Sequence, residues 1–325
     1  MSVSMNSVFS GGWKNIKENP ILFIPNILLF ILSTVLLIAI GIVFIIVFPD
    51  GLDVLVNSYS EFLVNADVDS LVSSWSEFIV FFFLAGSIYL FIYVLLTIYV
   101  QAGLIGMSQD VAKTGETKLS KMFSYGNKYF FRSFFASILV ALILLIPVFL
   151  LYLILIVGLI FVISLSSSSA ALFIILLFFL MLLFLLVMIA YLIVASLYLY
   201  FVLYAVVIDN LSVIASIRKS ISLFKENKGD VIIFFLVIMA ISIGVGMIAS
   251  FFSYLGVIPV IGIIFYILYL LIKIITSTLL SAMITVWETR MYLELTGNGC
   301  CYGCLEGENE AGWSNETYEE QNTEF

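Results

Sequence analysis

Lys273 is the residue whose type and placement come nearest to active chemistry. It stands about midway along an apolar run, 258–287, and is the one charged residue deep inside any such run. A charge at that depth costs roughly 2.5–3.5 kcal/mol on insertion scales, so a retained one often marks a substrate or ion site. No Asp or Glu lies at the same depth to pair with it, although Thr276, Ser277, Thr278 and Ser281 follow closely. Two readings stand open: a contact for an anionic substrate or lipid headgroup, or a lysine that snorkels or faces a small wet crevice.

The second candidate is Cys300-Cys301-x-x-Cys304, set between Gly297/Gly299 and Gly303. Three thiolates and a carboxylate such as Glu306 could hold zinc. Structural zinc sites use four Cys or His ligands, however, and neither a second CxxC nor a histidine exists. Plain juxtamembrane cysteines are the preferred reading, with no metal and no cofactor. The chain has no histidine at all, which removes the commonest general base and metal ligand. Catalysis without it would need clustered Asp, Cys or Lys at membrane depth, and Lys273 stands alone. A proton-coupled transporter is disfavoured in the same way, because its relays use Asp, Glu or His.

What must position these residues is a membrane domain. Hydrophobic residues make up 63% of the 325 and charged residues 10%, against roughly 25% charged in a soluble domain. The stretches 21–48 and 170–208 carry no charge, and about 20 apolar residues cross a bilayer. The apolar run 21–48 is too long for a signal-peptide core and is read as a retained span. Apolar runs between polar clusters give an all-α membrane fold of six spans: 21–48, 78–107, 133–165, 170–208, 231–255 and 258–287. The fourth exceeds what a bilayer needs and must tilt, kink or project. Residues 1–20 form an inner interfacial segment, 21–295 the six-span domain, and 296–325 an acidic tail read as disordered. Asn315-Glu-Thr317 in that tail fits a glycosylation sequon but lies inside, and is discounted.

Orientation follows from the basic residues. Lys14, Lys17, Lys113, Lys118, Lys121, Lys128, Arg132, Arg218, Lys219, Lys225, Lys228 and Arg290, all of the 13 except Lys273, fall on one side. Lys and Arg resist translocation, which predicts a plasma-membrane protein with both termini cytoplasmic. The outer loop 49–77 carries Asp50, Asp53, Glu61, Asp67, Asp69 and Glu77 without a base. Its apolar residues suggest one or two surface helices. Trp13, Trp75 and Trp287 are expected at interfaces. Gly103/Gly106 and Gly244/Gly246 are expected to serve close helix packing.

Three inner segments resemble one another: Trp13-Lys-Asn-Ile-Lys-Glu-Asn19, Phe123-Ser-Tyr-Gly-Asn127 and Ile221-Ser-Leu-Phe-Lys-Glu-Asn227. Each leads into an apolar run, so the unit is an interfacial amphipathic helix followed by a two-span hairpin, three times over. In the third copy Val213, Ile217, Ile221 and Phe224 share one helical face, with Asp209 or Asn210 as N-cap. Arg218, Lys219, Lys225 and Lys228 are then candidate contacts for anionic headgroups.

Four stretches carry a resemblance to a known family. They are Gly12-Trp-Lys-Asn-Ile-Lys-Glu-Asn-Pro20, Gln101-Ala-Gly-Leu-Ile-Gly-Met107, Ala205-Val-Val-Ile-Asp-Asn through Ile217-Arg-Lys-Ser-Ile-Ser-Leu-Phe224, and Trp287-Glu-Thr-Arg-Met-Tyr-Leu-Glu294. Together they look like the membrane domain attached to some glycerophosphoryl diester phosphodiesterases and its prokaryotic relatives of unknown function. The catalytic barrel of those enzymes uses histidines, which this sequence lacks. The resemblance therefore implies a fold and no activity. The expected function is non-enzymatic: membrane organisation through lipid or partner-protein contacts, with no nucleic acid. The alternative is a transporter or channel for a small or amphipathic solute with Lys273 in its path.

Overall fold

In hydrocarbon no water can satisfy backbone amides, so long Leu-, Ile-, Phe- and Val-rich runs close their hydrogen bonds within one helix. The computed structural model describes residues 3–49, 68–164, 170–255 and 262–297, and all its regular structure is helical. The elements are α1 (Met5–Glu18), a 3-10 turn (Pro20–Phe23), α2 (Ile24–Val47), α3 (Val68–Thr114), α4 (Leu119–Ser164) and α5 (Ala170–Leu199). They continue with α6 (Val202–Val207), α7 (Val213–Glu226), α8 (Lys228–Leu255) and α9 (Gly262–Leu295). Six stretches are long and apolar enough to cross a membrane: Pro20–Val47, Phe78–Thr114, Leu119–Gly158, Phe178–Val207, Lys228–Tyr254 and Ile264–Leu295. The expected six-span, all-helical architecture is present.

The packed core sits at one end of the bundle, where α1 and α7 lie. Val8, Phe201, Phe234 and Tyr292 are fully buried there, with Leu223, Trp287 and Met291 around them. A second cluster at the same end joins Leu22, Leu104, Met107, Met122 and Val286. Toward the opposite end of the spans the reverse holds: Ile46, Phe83 and Met247 are 72%, 72% and 69% exposed. Lipid tails solvate such side chains as well as other helices do, so helix–helix burial gains little inside the hydrocarbon. Where the helices emerge toward water, apolar burial becomes favourable again.

The repeat is realised in two of its three copies. α1 and α7 are both amphipathic helices of 14 residues, and both stop at the matched asparagine. Asn19 and Asn227 take φ of −125° and −127° as C-caps. Each side-chain amide donates to the carbonyl four residues back, Asn15 O at 3.3 Å and Leu223 O at 3.2 Å. The second copy differs, because Asn127 lies within the uninterrupted helix α4. Copy one is stopped by Pro20, which cannot continue a helix from a preceding α-helical residue. After Asn127 the residues Lys-Tyr-Phe-Phe contain no breaker, so the amphipathic segment and the span fuse.

The long fourth span, whose length called for a tilt, a kink or a projection, is broken. Helix α5 ends at Leu199 and α6 begins at Val202. Ser220 on α7 bridges the break: its hydroxyl donates to Tyr198 O at 2.8 Å and accepts the Phe201 amide at 3.2 Å. The most buried residues of α7 are Ser216, Ser220, Leu223 and Phe224, beside the expected stripe, of which Val213 and Ile217 stay half-buried against Ala136, Leu199, Val202 and Val206. Two small hydroxyl residues let the helix approach the exposed backbone ends.

A similar repair joins α4 and α5. Pro147 inside α4 has no N–H for the carbonyl of Ile143, four residues earlier. Tyr191 of α5 donates its hydroxyl to that carbonyl at 2.9 Å. Tyr191→Phe should therefore destabilise the purified protein by about 1 kcal/mol. In a Pro147→Ala background, where the helix satisfies its own carbonyl, the same change should have a smaller effect. A thermal-unfolding double-mutant cycle measures this, and equal effects in both backgrounds would refute the link.

Several expectations need correction. The second part of the predicted outer surface segment, from Val68, is continuous with the span in α3. Asp50, Asp53, Glu61 and Asp67 lie outside the described residues. Gly103 and Gly106 do serve close packing, since a Cβ would lie 2.7 Å from Met122 O and 2.2 Å from the Tyr125 ring. Gly244 and Gly246 show no such contact, because nothing among the described residues stands within 4 Å of either position.

Candidate functional site

The basic end is where charged and hydrogen-bonding side chains converge. Its outer rim is cationic: Lys17, Lys113, Lys118, Lys121, Lys128, Arg132, Arg218, Lys225 and Lys228 are exposed. Lys219 is half-buried, and Lys14 pairs with Glu18 at 4.0 Å. The four candidate headgroup residues are thus carried by α7 and the first residue of α8, on the side facing away from the core. Trp13, on α1, is 54% exposed. Trp287, expected at the interface, is instead 7% exposed. It packs edge-on against Phe9 at 5.3 Å, with Gly12 of α1 close enough that a Cβ there would meet its ring at 2.3 Å. Without side chains at Gly11 and Gly12, α1 can lie directly on α9.

Beneath the rim, phenols and carboxylates pair across helices. Tyr200 and Tyr204 each donate to a different oxygen of Glu288, which ties the broken fourth span to α9. Tyr292 donates to Asp209 at 2.5 Å, and Tyr125 to Asp110 at 2.8 Å, linking α4 to α3. Ser7 donates to Glu294 at 2.9 Å, and Val3 N–H to Asp230 at 3.2 Å. Arg290 is 2% exposed, with Nη1 donating to Ser7 O at 3.5 Å and Gly11 pressed against its guanidinium. With two phenols on Glu288, one on each carboxylate oxygen, the arrangement fixes helix positions.

Asp209 and Asn210 are not the N-cap of α7. Ser212 is, without a side-chain capping bond. Asp209 serves Tyr292 instead. Asn210 adopts a left-handed φ of 53°, accessible to a short polar side chain, and accepts Arg132 Nη1 through its backbone oxygen at 3.2 Å and its Oδ1 at 2.6 Å. The loop between α6 and α7 thus uses the residues the sequence suggested as caps for other purposes.

Lys273 lies far from this assembly along α9. It is exposed, with Nζ 5.6 Å from the ring centroid of Tyr269. Thr276 and Ser277 hydrogen-bond back to the carbonyls of Ile272 and Ile274 on their own helix. Cys300, Cys301 and Cys304 lie outside the described residues. Among the described residues no group of three His, Cys, Asp or Glu is placed to hold a metal.

Glu288, Tyr200, Tyr204, Tyr292 and Ser220 were not singled out as site residues by sequence reasoning. One signal was present: Trp287-Glu-Thr-Arg-Met-Tyr292 interrupts an otherwise apolar run with polar side chains that must find partners. Their partners could not be read from it.

A folded, internally hydrogen-bonded end beneath a cationic rim, continued by six apolar helices, defines a multi-pass helical membrane protein. The chain belongs to a family described as a domain of unknown function, DUF7847, whose model matches residues 3–295. No curated protein and no solved structure gives a match.

Proposed function

We propose that this protein is a non-enzymatic organiser of the plasma membrane, binding anionic lipid headgroups through the rim around α1 and α7, with both termini cytoplasmic. The observation that carries it is the split at the basic end: Arg218, Lys225 and Lys228 face outward, while Glu288 and Asp209 are engaged by tyrosines. Outward cations on an amphipathic helix beside a span suit anionic headgroups. Positive charge on that end favours its cytoplasmic placement. The outward face of Lys273, over Tyr269, supports this reading above that of a transporter with the lysine in its path. Kinship with the membrane domain of glycerophosphoryl diester phosphodiesterases belongs to the same reading, as a matter of fold. Partners are then membrane lipids and, at the same rim, other membrane proteins.

The test is lipid preference of the whole chain. Reconstituted protein should bind anionic lipid over neutral lipid in native mass spectrometry. Changing Arg218, Lys219, Lys225 and Lys228 together to Gln should weaken that preference strongly, at about 1 kcal/mol for each residue near the surface. An unchanged preference in the fourfold variant would exclude the α7 rim as the headgroup site.

A further inference from the structure

A seam between α2 and α3 has two chemically different halves. Its inner half is a crevice of 230 Å³ lined by Asn26, Ser33, Tyr93, Ser277, Thr278 and Ser281, with Leu29 and Phe30. Its outer half is a groove of 320 Å³ lined by Leu37, Ile40, Gly41, Phe44, Phe82, Ala85, Gly86 and Tyr89. On α2 these positions recur every three or four residues, so they form one face. On α3, running the opposite way, Tyr93, Tyr89, Gly86 and Phe82 do the same. The seam from Asn26 to Phe44 is about 27 Å long at helical rise, close to the roughly 30 Å of a hydrocarbon core.

The hydroxyls of Tyr93, Thr278 and Ser281 make no hydrogen bond among the described residues, and Asn26 donates only to Thr278 O at 3.3 Å. Asn26 and Ser33 are each 9% exposed. Polar groups at membrane depth are costly without partners. No charged side chain lines either half. Lys273, a turn from Ser277, is outside it. Gly41 and Gly86 leave open space where side chains would otherwise stand.

We propose that this seam binds a neutral glycerolipid, with its hydroxyl-bearing head in the Asn26–Tyr93–Thr278–Ser281 crevice and an alkyl chain along the Gly41–Gly86 groove. Uncharged donors and acceptors match hydroxyls, and the absence of a cation disfavours a carboxylate or phosphate. The groove from Ser33 to Phe44, about 17 Å at helical rise, accommodates most of an extended acyl chain. This site is distinct from the cationic rim and does not rest on the function proposed for it.

The test uses the full chain in phosphatidylcholine nanodiscs with a monoacylglycerol bearing a photoreactive group in its tail. Saturable labelling is expected on residues 37–44 or 82–89, competed at least tenfold better by monooleoylglycerol than by oleate or phosphatidylglycerol. Tyr93→Phe combined with Thr278→Val and Ser281→Ala should reduce labelling about tenfold. Gly86→Leu, which enters open space and so should fold normally, should abolish it. Lys273→Met should leave it unchanged. Labelling that does not saturate, or that every lipid competes equally, would reduce the seam to ordinary bilayer contact and overturn the proposal. Preference for oleate or phosphatidylglycerol, or loss of labelling in Lys273→Met, would overturn its uncharged character.

Discussion

Glu288→Ala is expected to produce the largest loss of stability of any single polar substitution in this protein, about 3–5 kcal/mol by analogy with broken buried networks. The change strands two phenols at once, because Tyr200 and Tyr204 each donate to a separate oxygen of that carboxylate. A buried donor without a partner costs about 1–3 kcal/mol. Tyr200→Phe and Tyr204→Phe should each be milder, since each removes the donor together with its need. Their effects should not add to that of Glu288→Ala, because the three groups share one network. A triple variant, Glu288→Leu with both tyrosines changed to Phe, should therefore recover part of the stability lost in Glu288→Ala alone. Thermal unfolding in detergent measures all of these. A loss below about 0.5 kcal/mol in Glu288→Ala, the range of ordinary surface substitutions, would show that the network does not hold the fourth span to α9.

The second large effect concerns close approach. Gly103→Ala would place a methyl group 2.7 Å from the backbone oxygen of Met122 and 3.2 Å from its carbonyl carbon. Backbone cannot rotate aside as a side-chain tip can, so α3 and α4 must separate. Overpacking of this kind typically destabilises by about 1–3 kcal/mol. The separation would also stretch the Tyr125–Asp110 bond of 2.8 Å, so the upper part of that range is expected. Gly244→Ala provides the contrast. With nothing among the described residues within 4 Å, it should leave stability unchanged or raise it slightly, because alanine favours the helix by about 1 kcal/mol. Equal losses at both glycines would mean that loss of glycine itself, and not the contact with Met122, sets the result.

Arg290 shows how far charge placement and structure diverge. In sequence it belongs with the cations of one side. In the fold it is the buried member of that set, pressed against Gly11 and bonded to Ser7 O at 3.5 Å. Counting Lys and Arg by loop groups these residues together without revealing which of them face outward. The same division separates Trp13, exposed, from Trp287, buried beneath α1.

The six apolar spans, the all-helical class and the clustering of positive charge at one end were determined by the sequence alone. Each is a property of consecutive residues: a run long enough to cross hydrocarbon must be helical, and a loop either carries Lys and Arg or does not. The length of the fourth span called for a tilt, a kink or a projection without deciding among them. Only the tertiary structure decided how these breaks are repaired and where the core lies. Ser220 meets the backbone of Tyr198, 22 residues before it. Tyr191 reaches the carbonyl that Pro147 strands, 48 residues before the tyrosine, and Tyr200 finds Glu288 88 residues later. Such pairings follow from the three-dimensional approach of helices, so residue type announces the need for a partner without indicating which one. The fusion of the second repeat copy into α4 has a different cause. An amphipathic pattern does not stop a helix by itself. Where Pro20 follows Asn19, or Lys228-Gly229 follows Asn227, the helix is interrupted, and where Lys-Tyr-Phe-Phe follows Asn127 it continues.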